Sequence, residues 1–158
     1  MKLLTETLLD ELAAKAAASP RRRAHHTIHS GAADLVQRFV VVAQRDSYFR
    51  PHRHNARAEL ALLVRGELDV LTFDEAGRVS ARYPIGPGGT FAYETPPRTW
   101  HTLVAGERGG AFLEVKEGPY DPATASEFAP WSPAEGDAAA AAFLSWARAA
   151  RAGDRVPG

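Results

Sequence analysis

The sequence predicts an all-β protein, a single jelly-roll barrel that carries a helix at each end. Two observations indicate this class. In the middle of the chain, many short β-prone runs are joined by turns rich in glycine and proline, which is typical of β-sandwiches and barrels. The first segment instead has apolar residues at helical spacing, and the last is rich in alanine. With 158 residues, the chain is long enough for one domain with a substantial core.

The two helices delimit the predicted organisation. An amphipathic helix is predicted over residues 3–18, because acidic residues fall on the face opposite the leucines, and Ser19 and Pro20 end it. Residues 118–136 combine prolines with large aromatic side chains, so we predict an ordered strap over the barrel. A terminal helix is predicted over residues 137–152. The predicted divisions are an N-terminal helix (1–19), a barrel with its strap (20–136) and a C-terminal helix with a tail (137–158).

The predicted strands follow from β-prone residues and the turns between them. Gly66 is expected to form a turn between two strands, and Gly77 to adopt a left-handed conformation in a hairpin loop over residues 74–77. Residues 107–110 are expected to form a loop, and residues 20–34 a polar segment without periodicity. The predicted strands cover residues 37–43, 59–64, 67–73, 79–85, 90–93, 99–104 and 111–116.

Composition argues against several classes of function. Lysine plus arginine and aspartate plus glutamate number 19 each, and this zero net charge gives no support for a nucleic acid or a membrane surface as partner. The chain contains no cysteine, so any metal must be bound through nitrogen and oxygen. No apolar run approaches the ~20 residues of a membrane span, and acidic residues interrupt the apolar start, unlike in a signal peptide. We therefore expect a cytoplasmic protein.

Three histidines and one glutamate form a candidate metal site. His52 and His54 are separated by one residue, so both side chains lie on the same face of a strand. Glu59 follows on the next predicted strand, and His101 lies in another β-prone run. These residues would bind one divalent transition metal ion, with zinc, iron, manganese or nickel as candidates, and leave positions open for water or substrate. The alternative is a set of hydrogen-bonded polar residues without a metal.

The spacing of these four residues resembles that of the cupins. Two stretches are similar to the two cupin motifs: His52-x-His54, four residues, Glu59, six residues, Gly66; and Pro96 to His101. The resemblance covers residues 36–117 and implies a jelly-roll barrel with the four residues as metal ligands. Arg98 stands where the second motif usually has glycine.

A narrower resemblance extends further along the chain. It is carried by Val36-Gln37-Arg38, Tyr48-x-x-Pro51-His52-Arg53-His54, Trp100-His101-Thr102, Glu114 to Tyr120 and Phe128 to Gly136. Together these segments are similar to the WbuC family of cupin-fold metalloproteins. Members of that family are associated with gene clusters for bacterial surface polysaccharides such as the O-antigen. The resemblance implies a role in surface-polysaccharide metabolism but does not specify a reaction.

Glu114 is the candidate catalytic residue. It lies on the last predicted strand, from which it could point into the barrel and act as a general base beside a metal-bound water. Lys116 has the same parity on this strand, so it would also point inward and could pair with Glu114. The alternative for Glu114 is ordinary packing or surface.

Further residues are predicted to contact a substrate. The segment that contains Arg23, His25 and His29 could, together with Arg38, fold over the barrel mouth. Guanidinium groups there would suit a carboxylate or a sugar phosphate. Tyr48 is a further candidate. The alternatives for the histidines are a solvent-facing loop and a second metal site built on His25 and His29, which stand four residues apart.

Three functions remain open from the sequence. The first is an enzyme that acts on a small, polar, sugar-like or nucleotide-sugar substrate by isomerisation, epimerisation or dehydration. An anionic sugar is one form that this substrate could take. The second is a non-catalytic protein that binds a small molecule or sugar, and the third is an iron-dependent dioxygenase. Exposed edge strands and two amphipathic helices also favour a homodimer.

Overall fold

The computed structural model describes residues 1–157. Helix α1 (Glu6–Ala18) begins the fold and helix α2 (Ala139–Ala149) lies near its end. The strands between them are β1 (Arg23–Thr27), β2 (Val36–Ala43), β3 (His52–Arg53), β4 (Glu59–Phe73), β5 (Val79–Ile85), β6 (Ala92–Thr95), β7 (Trp100–Glu117) and β8 (Glu127–Phe128). The predicted class, an all-β protein with a helix at each end, is confirmed.

Two long antiparallel strands, β4 and β7, organise a single sheet. They pair along almost their whole length, from Glu59 opposite Lys116 to Phe73 opposite Trp100. On the free edge of β7, strands β2 and β1 extend one half of the sheet, and β3 and β8 extend the other. Strands β6 and β5 pair with the edge of β4 that does not contact β7, and each extends one half of the sheet. The sheet bends over on itself as a jelly roll, but it is not closed.

The bend occurs where the sequence predicts breaks. Gly66 was expected to separate two strands and residues 107–110 to form a loop, and both expectations are wrong, because β4 and β7 run through these positions. The pairing instead shifts register on either side of Gly66. Gly66 has a φ of 79°, and a Cβ atom there would lie 2.3 Å from the carbonyl oxygen of Gly109. Bulges of this kind let a strand turn a corner without losing its partner.

Several smaller expectations can be compared with the structure. Strand β5 covers the predicted residues, and Gly77 has the expected left-handed conformation, with a φ of 76°. Residues 20–34 were predicted to lack regular structure, but they contain β1, which pairs with β2. The strand predicted over residues 90–93 is displaced to β6. Within residues 1–157, no helix is long and apolar enough to cross a membrane.

The core is divided into three clusters, and this division leaves one end of the barrel polar. Helix α1 packs Leu9 and Leu12 on the outer face of the sheet, against Val40 and Val42 of β2. Helix α2 packs on the outer face of the other half, in a cluster that includes Trp100. A third cluster fills the interior. Because Trp100 faces outward, strand alternation turns the neighbouring His101 inward.

Candidate metal centre

The four predicted ligands come together at one end of the barrel interior. His52 on β3 lies opposite His101 on β7, Glu59 begins β4, and His54 follows β3. One ligand atom from each residue lies within 4.8 Å of the others. The closest pair is Nε2 of His54 and Oε2 of Glu59, at 2.8 Å, and Nε2 of His101 lies 3.8 Å from Oε1 of Glu59.

Backbone carbonyls fix the orientation of all three imidazoles. Nδ1 of His52 lies 3.0 Å from the carbonyl oxygen of Arg50, and Nδ1 of His101 lies 2.9 Å from that of Thr99. Nδ1 of His54 lies 2.5 Å from the carbonyl oxygen of Ala125. A carbonyl can only accept, so in the neutral rings Nδ1 carries the hydrogen and the lone pair is on Nε2. This arrangement is the usual support for metal-binding histidines.

Burial and charge hold His52 and Glu59 in the protonation states that a metal requires. Burial and the neighbouring His101 lower the pKa of His52 to about 3, so His52 is a neutral imidazole at neutral pH. Burial opposes ionisation of Glu59, but its contacts with His101 and His54 and the charge of Lys116 outweigh it and hold the pKa well below its usual range. A set of imidazole nitrogens and one carboxylate fits zinc, iron, manganese or nickel.

Access to the cluster is uneven. Glu59 is 4% exposed and His101 is 1% exposed, whereas His52 is partly exposed. A small cavity of about 170 Å³ borders His52, and its other walls come from the chain around the start of β1, from residues 49–50 and from the strap. The lining residues are Arg21, Arg23, Phe49, Arg50, His52, Ser126, Phe128 and Glu135. A larger groove of about 750 Å³ lies outside the barrel beside α2 and touches none of the four ligands.

Glu114 and Lys116 lie beside the metal ligands. Both face inward on β7, as predicted, and Lys116 pairs with Glu59 on β4. Nζ of Lys116 is 3.1 Å from Oε2 of Glu59 and also forms an ion pair with Glu114. Burial and the charge of Glu59 raise the pKa of Glu114 to about 8, although Lys116 acts in the opposite direction. A buried carboxyl group therefore adjoins the candidate metal centre.

The remaining predicted substrate contacts are dispersed. Arg23 lines the small cavity, donates to the carbonyl oxygen of Tyr48 at 2.8 Å and forms an ion pair with Glu135. His25 is exposed on β1, with its ring edge towards Phe39. In that strand His25 lacks the helical geometry that a pair with His29 would need. Among the described residues, the cluster at His52 is the one group of three or more potential ligands, so a second metal site finds no support.

Three predicted contacts lie away from the cluster. His29 accepts a hydrogen bond from the backbone N–H of Arg38 at 2.9 Å. The side chain of Arg38 is 44% exposed and lies near Asp34, because strand alternation places it on the outer face. Tyr48 packs its ring against Phe143 of α2 and donates its hydroxyl to the carbonyl oxygen of Pro133. The geometry brings none of the three to the metal ligands.

The sequence also missed contributors to this end of the barrel. The strap supplies Ala125, whose carbonyl binds His54, and β8, which pairs with β3 at His52. Arg98 has a φ of 64° in the left-handed region and donates its backbone N–H to the carbonyl oxygen of His54 at 2.7 Å. The second cupin motif usually has glycine where this chain has Arg98. That difference was the sequence feature that pointed to a left-handed backbone conformation here.

Comparison with solved structures supports the fold. This chain is similar to CapF, the capsular polysaccharide assembling protein from Staphylococcus aureus (15% identity, TM-score 0.55, covering 66% of this chain and 31% of CapF). It is also similar to the DMSP lyase DddQ from Ruegeria pomeroyi DSS-3 (20% identity, TM-score 0.52, covering 67% of this chain and 51% of DddQ). A third similar structure is that of oxalate decarboxylase from Bacillus subtilis (20% identity, TM-score 0.53, covering 67% of this chain and 27% of the decarboxylase). The chain therefore spans about half of DddQ and less than a third of the other two.

The fold and the four clustered side chains define a cupin-fold protein with a candidate metal centre. Residues 4–85 match a family model described as a domain of unknown function, DUF6016, and the chain belongs to that family. A search of curated proteins gave no match. The narrower WbuC resemblance stays a prediction.

Proposed function

We propose that this protein is a metal-dependent enzyme that acts on a small, polar, sugar-like substrate by isomerisation, epimerisation or dehydration. One observation carries the proposal: four oriented ligand side chains lie within 4.8 Å of one another, with a buried carboxyl group, Glu114, beside them. A saturated structural metal site would not need such a neighbour. The bound metal, held by His52, His54, Glu59 and His101, would supply Lewis-acid chemistry.

Glu114 has the position of an acid–base residue. It is 7% exposed and is held by Lys116, so the side chain has a fixed location near the ligands. In the proposed reaction Glu114 removes or delivers a proton at the carbon or hydroxyl next to the substrate's polarised oxygen. Lys116 keeps both Glu114 and Glu59 oriented and compensates the charge of Glu59.

The small cavity beside His52 supports a substrate with an anionic group. Three guanidinium groups, from Arg21, Arg23 and Arg50, line it together with a single carboxylate, that of Glu135. This excess of positive charge would attract a carboxylate or a phosphate to the edge of the metal site. The wall also contains His52, so an anion bound there would lie next to the candidate metal centre.

The sugar-like character and the biological setting rest on the WbuC resemblance. It supports a role in bacterial surface-polysaccharide metabolism. The solved structures do not choose the reaction, because the same fold carries a lyase, a decarboxylase and a polysaccharide-assembly protein. The proposed setting includes a cytoplasmic location and a homodimer, which size-exclusion chromatography with light scattering would test.

The first experiment is elemental analysis of the tag-free protein beside two variants. We expect one equivalent of metal per chain in the wild type and in His26→Ala, which changes a histidine outside the cluster. We expect loss of the metal in His101→Ala. A folded wild type that binds none of the four candidate metals when they are offered would exclude the metalloenzyme.

The second experiment tests turnover with Glu114→Gln. The metal-loaded wild type is incubated in D₂O with a panel of sugars and sugar acids, and exchange of carbon-bound hydrogen is followed by NMR. We expect exchange with at least one compound, and its loss in Glu114→Gln with the metal retained. Metal binding without exchange or conversion in the wild type would favour the non-catalytic binding protein.

A further inference from the structure

Tyr93 presents a buried hydroxyl group without a partner. Its oxygen is shielded from solvent, and it makes no hydrogen bond to any residue within the range 1–157. The ring packs with the interior cluster that contains Phe112 and Leu103. A hydroxyl buried in this way loses its hydrogen bonds to water and gains none in return, which is costly and uncommon. An unpaired group of this kind, in an interior next to a candidate metal centre, is available to hydrogen-bond a ligand.

The register of the sheet places Tyr93 on the same face as Glu114. Ala61 of β4 is the direct neighbour of Tyr93 on β6 and of Glu114 on β7, so the three side chains share the inner face. Ala61 is fully buried between the other two and has the smallest side chain of the three. Glu59, a candidate metal ligand, lies two residues before Ala61 and points the same way.

The electrostatics agree with this placement. Burial, together with the charges of Glu59 and Glu114, raises the pKa of Tyr93 well above its usual range. The hydroxyl therefore keeps its hydrogen and can donate it. A donor in this position has no protein acceptor among the residues that the structure describes, although two carboxylates lie nearby.

We propose that the Tyr93 hydroxyl binds an oxygen atom of the substrate held at the candidate metal centre, so that the site selects a small ligand with several neighbouring oxygens, such as a polyhydroxy acid. This inference rests on the proposed function and specifies its substrate class. A ligand that lacks the matching oxygen leaves the hydroxyl unpaired, and the site discriminates against it for that reason. Tyr93 is thus a specificity-determining residue.

Stability measurements on metal-free protein test the first half of the inference. Tyr93→Phe removes only the hydroxyl, and Tyr83→Phe is the matched control because Tyr83 is 51% exposed on β5. We expect the melting temperature of Tyr93→Phe to equal or exceed that of the wild type, because an unpaired buried polar group is lost. A fall of several degrees, absent in Tyr83→Phe, would assign the hydroxyl to the fold and overturn the inference.

Binding measurements test the second half. Glycerate and lactate both carry a carboxylate and a 2-hydroxyl, and glycerate has one further hydroxyl. Calorimetry on metal-loaded protein should show that wild type and Tyr83→Phe prefer glycerate by about tenfold, the effect of one hydrogen bond. We expect Tyr93→Phe to bind both acids alike, with unchanged metal content.

The outcomes separate this inference from the proposed function. An equal preference in wild type and Tyr93→Phe would overturn the role of Tyr93 and leave the enzyme proposal intact. Binding of neither acid by the metal-loaded wild type would overturn the polyhydroxy acid class. A wild type that takes up no metal would instead remove the proposed function, whereas the stability comparison of metal-free variants would still stand.

Discussion

Lys116 and Glu59 face each other across β7 and β4, with 3.1 Å between Nζ and Oε2, so a candidate metal ligand is also half of an ion pair. Lys116 forms a second pair with Glu114 on its own strand. One cation thus separates two buried carboxyl groups. The arrangement explains why an interior position beside three imidazoles can hold two acidic residues.

Replacing Lys116 with methionine should destabilise the metal-free protein strongly. Removing one member of a buried ion pair costs about 3–5 kcal/mol, because the partner charge is left uncompensated. We expect Lys116→Met to lower the free energy of unfolding in urea by about 3 kcal/mol. The double variant Lys116→Met/Glu59→Gln should recover part of this loss, because it also removes the carboxylate whose pKa is held low and which Lys116 compensates. Equal losses in the single and double variants would contradict the proposed charge compensation.

The backbone conformation at Arg98 should make glycine more stable than alanine at this position. Its φ of 64° lies in the region that favours glycine, and its backbone N–H supports the loop of His54. A left-handed conformation costs a non-glycine residue about 1–2 kcal/mol, although glycine also gains entropy in the unfolded chain. We expect Arg98→Gly to be more stable than Arg98→Ala by about 1 kcal/mol in thermal unfolding. Because both variants lack the side chain, the comparison isolates the backbone. A more stable Arg98→Ala would be inconsistent with the strain.

Gly66 should tolerate no side chain at the corner of the barrel. Gly66 and Gly88 both have a φ of 79°, but a Cβ atom at Gly66 would meet the carbonyl oxygen of Gly109, whereas one at Gly88 meets nothing within 4 Å. Gly88→Ala therefore measures backbone strain alone, about 1 kcal/mol. Gly66→Ala adds a steric clash, so its loss in chemical denaturation should exceed that of Gly88→Ala by at least about 1 kcal/mol. Similar losses in both variants would contradict the close approach.

Gly66 also illustrates what sequence could and could not predict. Alternation of apolar residues located the strands, and the His-x-His spacing placed two ligands on one face, because both depend on local periodicity. A glycine between two β-prone runs is compatible with a turn or with a bulge, and only pairing with a distant strand decides between them. The same limit applies to Tyr48 and Arg38. Their side chains belong to other layers of the fold, a distinction that motif similarity does not make.

Acid should weaken the ion cluster that ties the strap to the start of β1. Burial opposes ionisation of Glu135, but hydrogen bonds from Arg21 and Arg23 outweigh it and hold the pKa below its ordinary value of 4.5. A lowered folded-state pKa means that the carboxylate contributes stability above the unfolded value, and that this contribution disappears as the pH falls through the folded value. We expect Glu135→Gln to be less stable than the wild type near neutral pH and equally stable in acid below both pKa values. Glu107→Gln serves as the control, since Glu107 is 76% exposed in its pair with Arg45 and should show little difference at any pH. A stability gap for Glu135→Gln that persists unchanged in acid, measured by urea unfolding across the range, would show that the carboxylate charge is not what stabilises the strap.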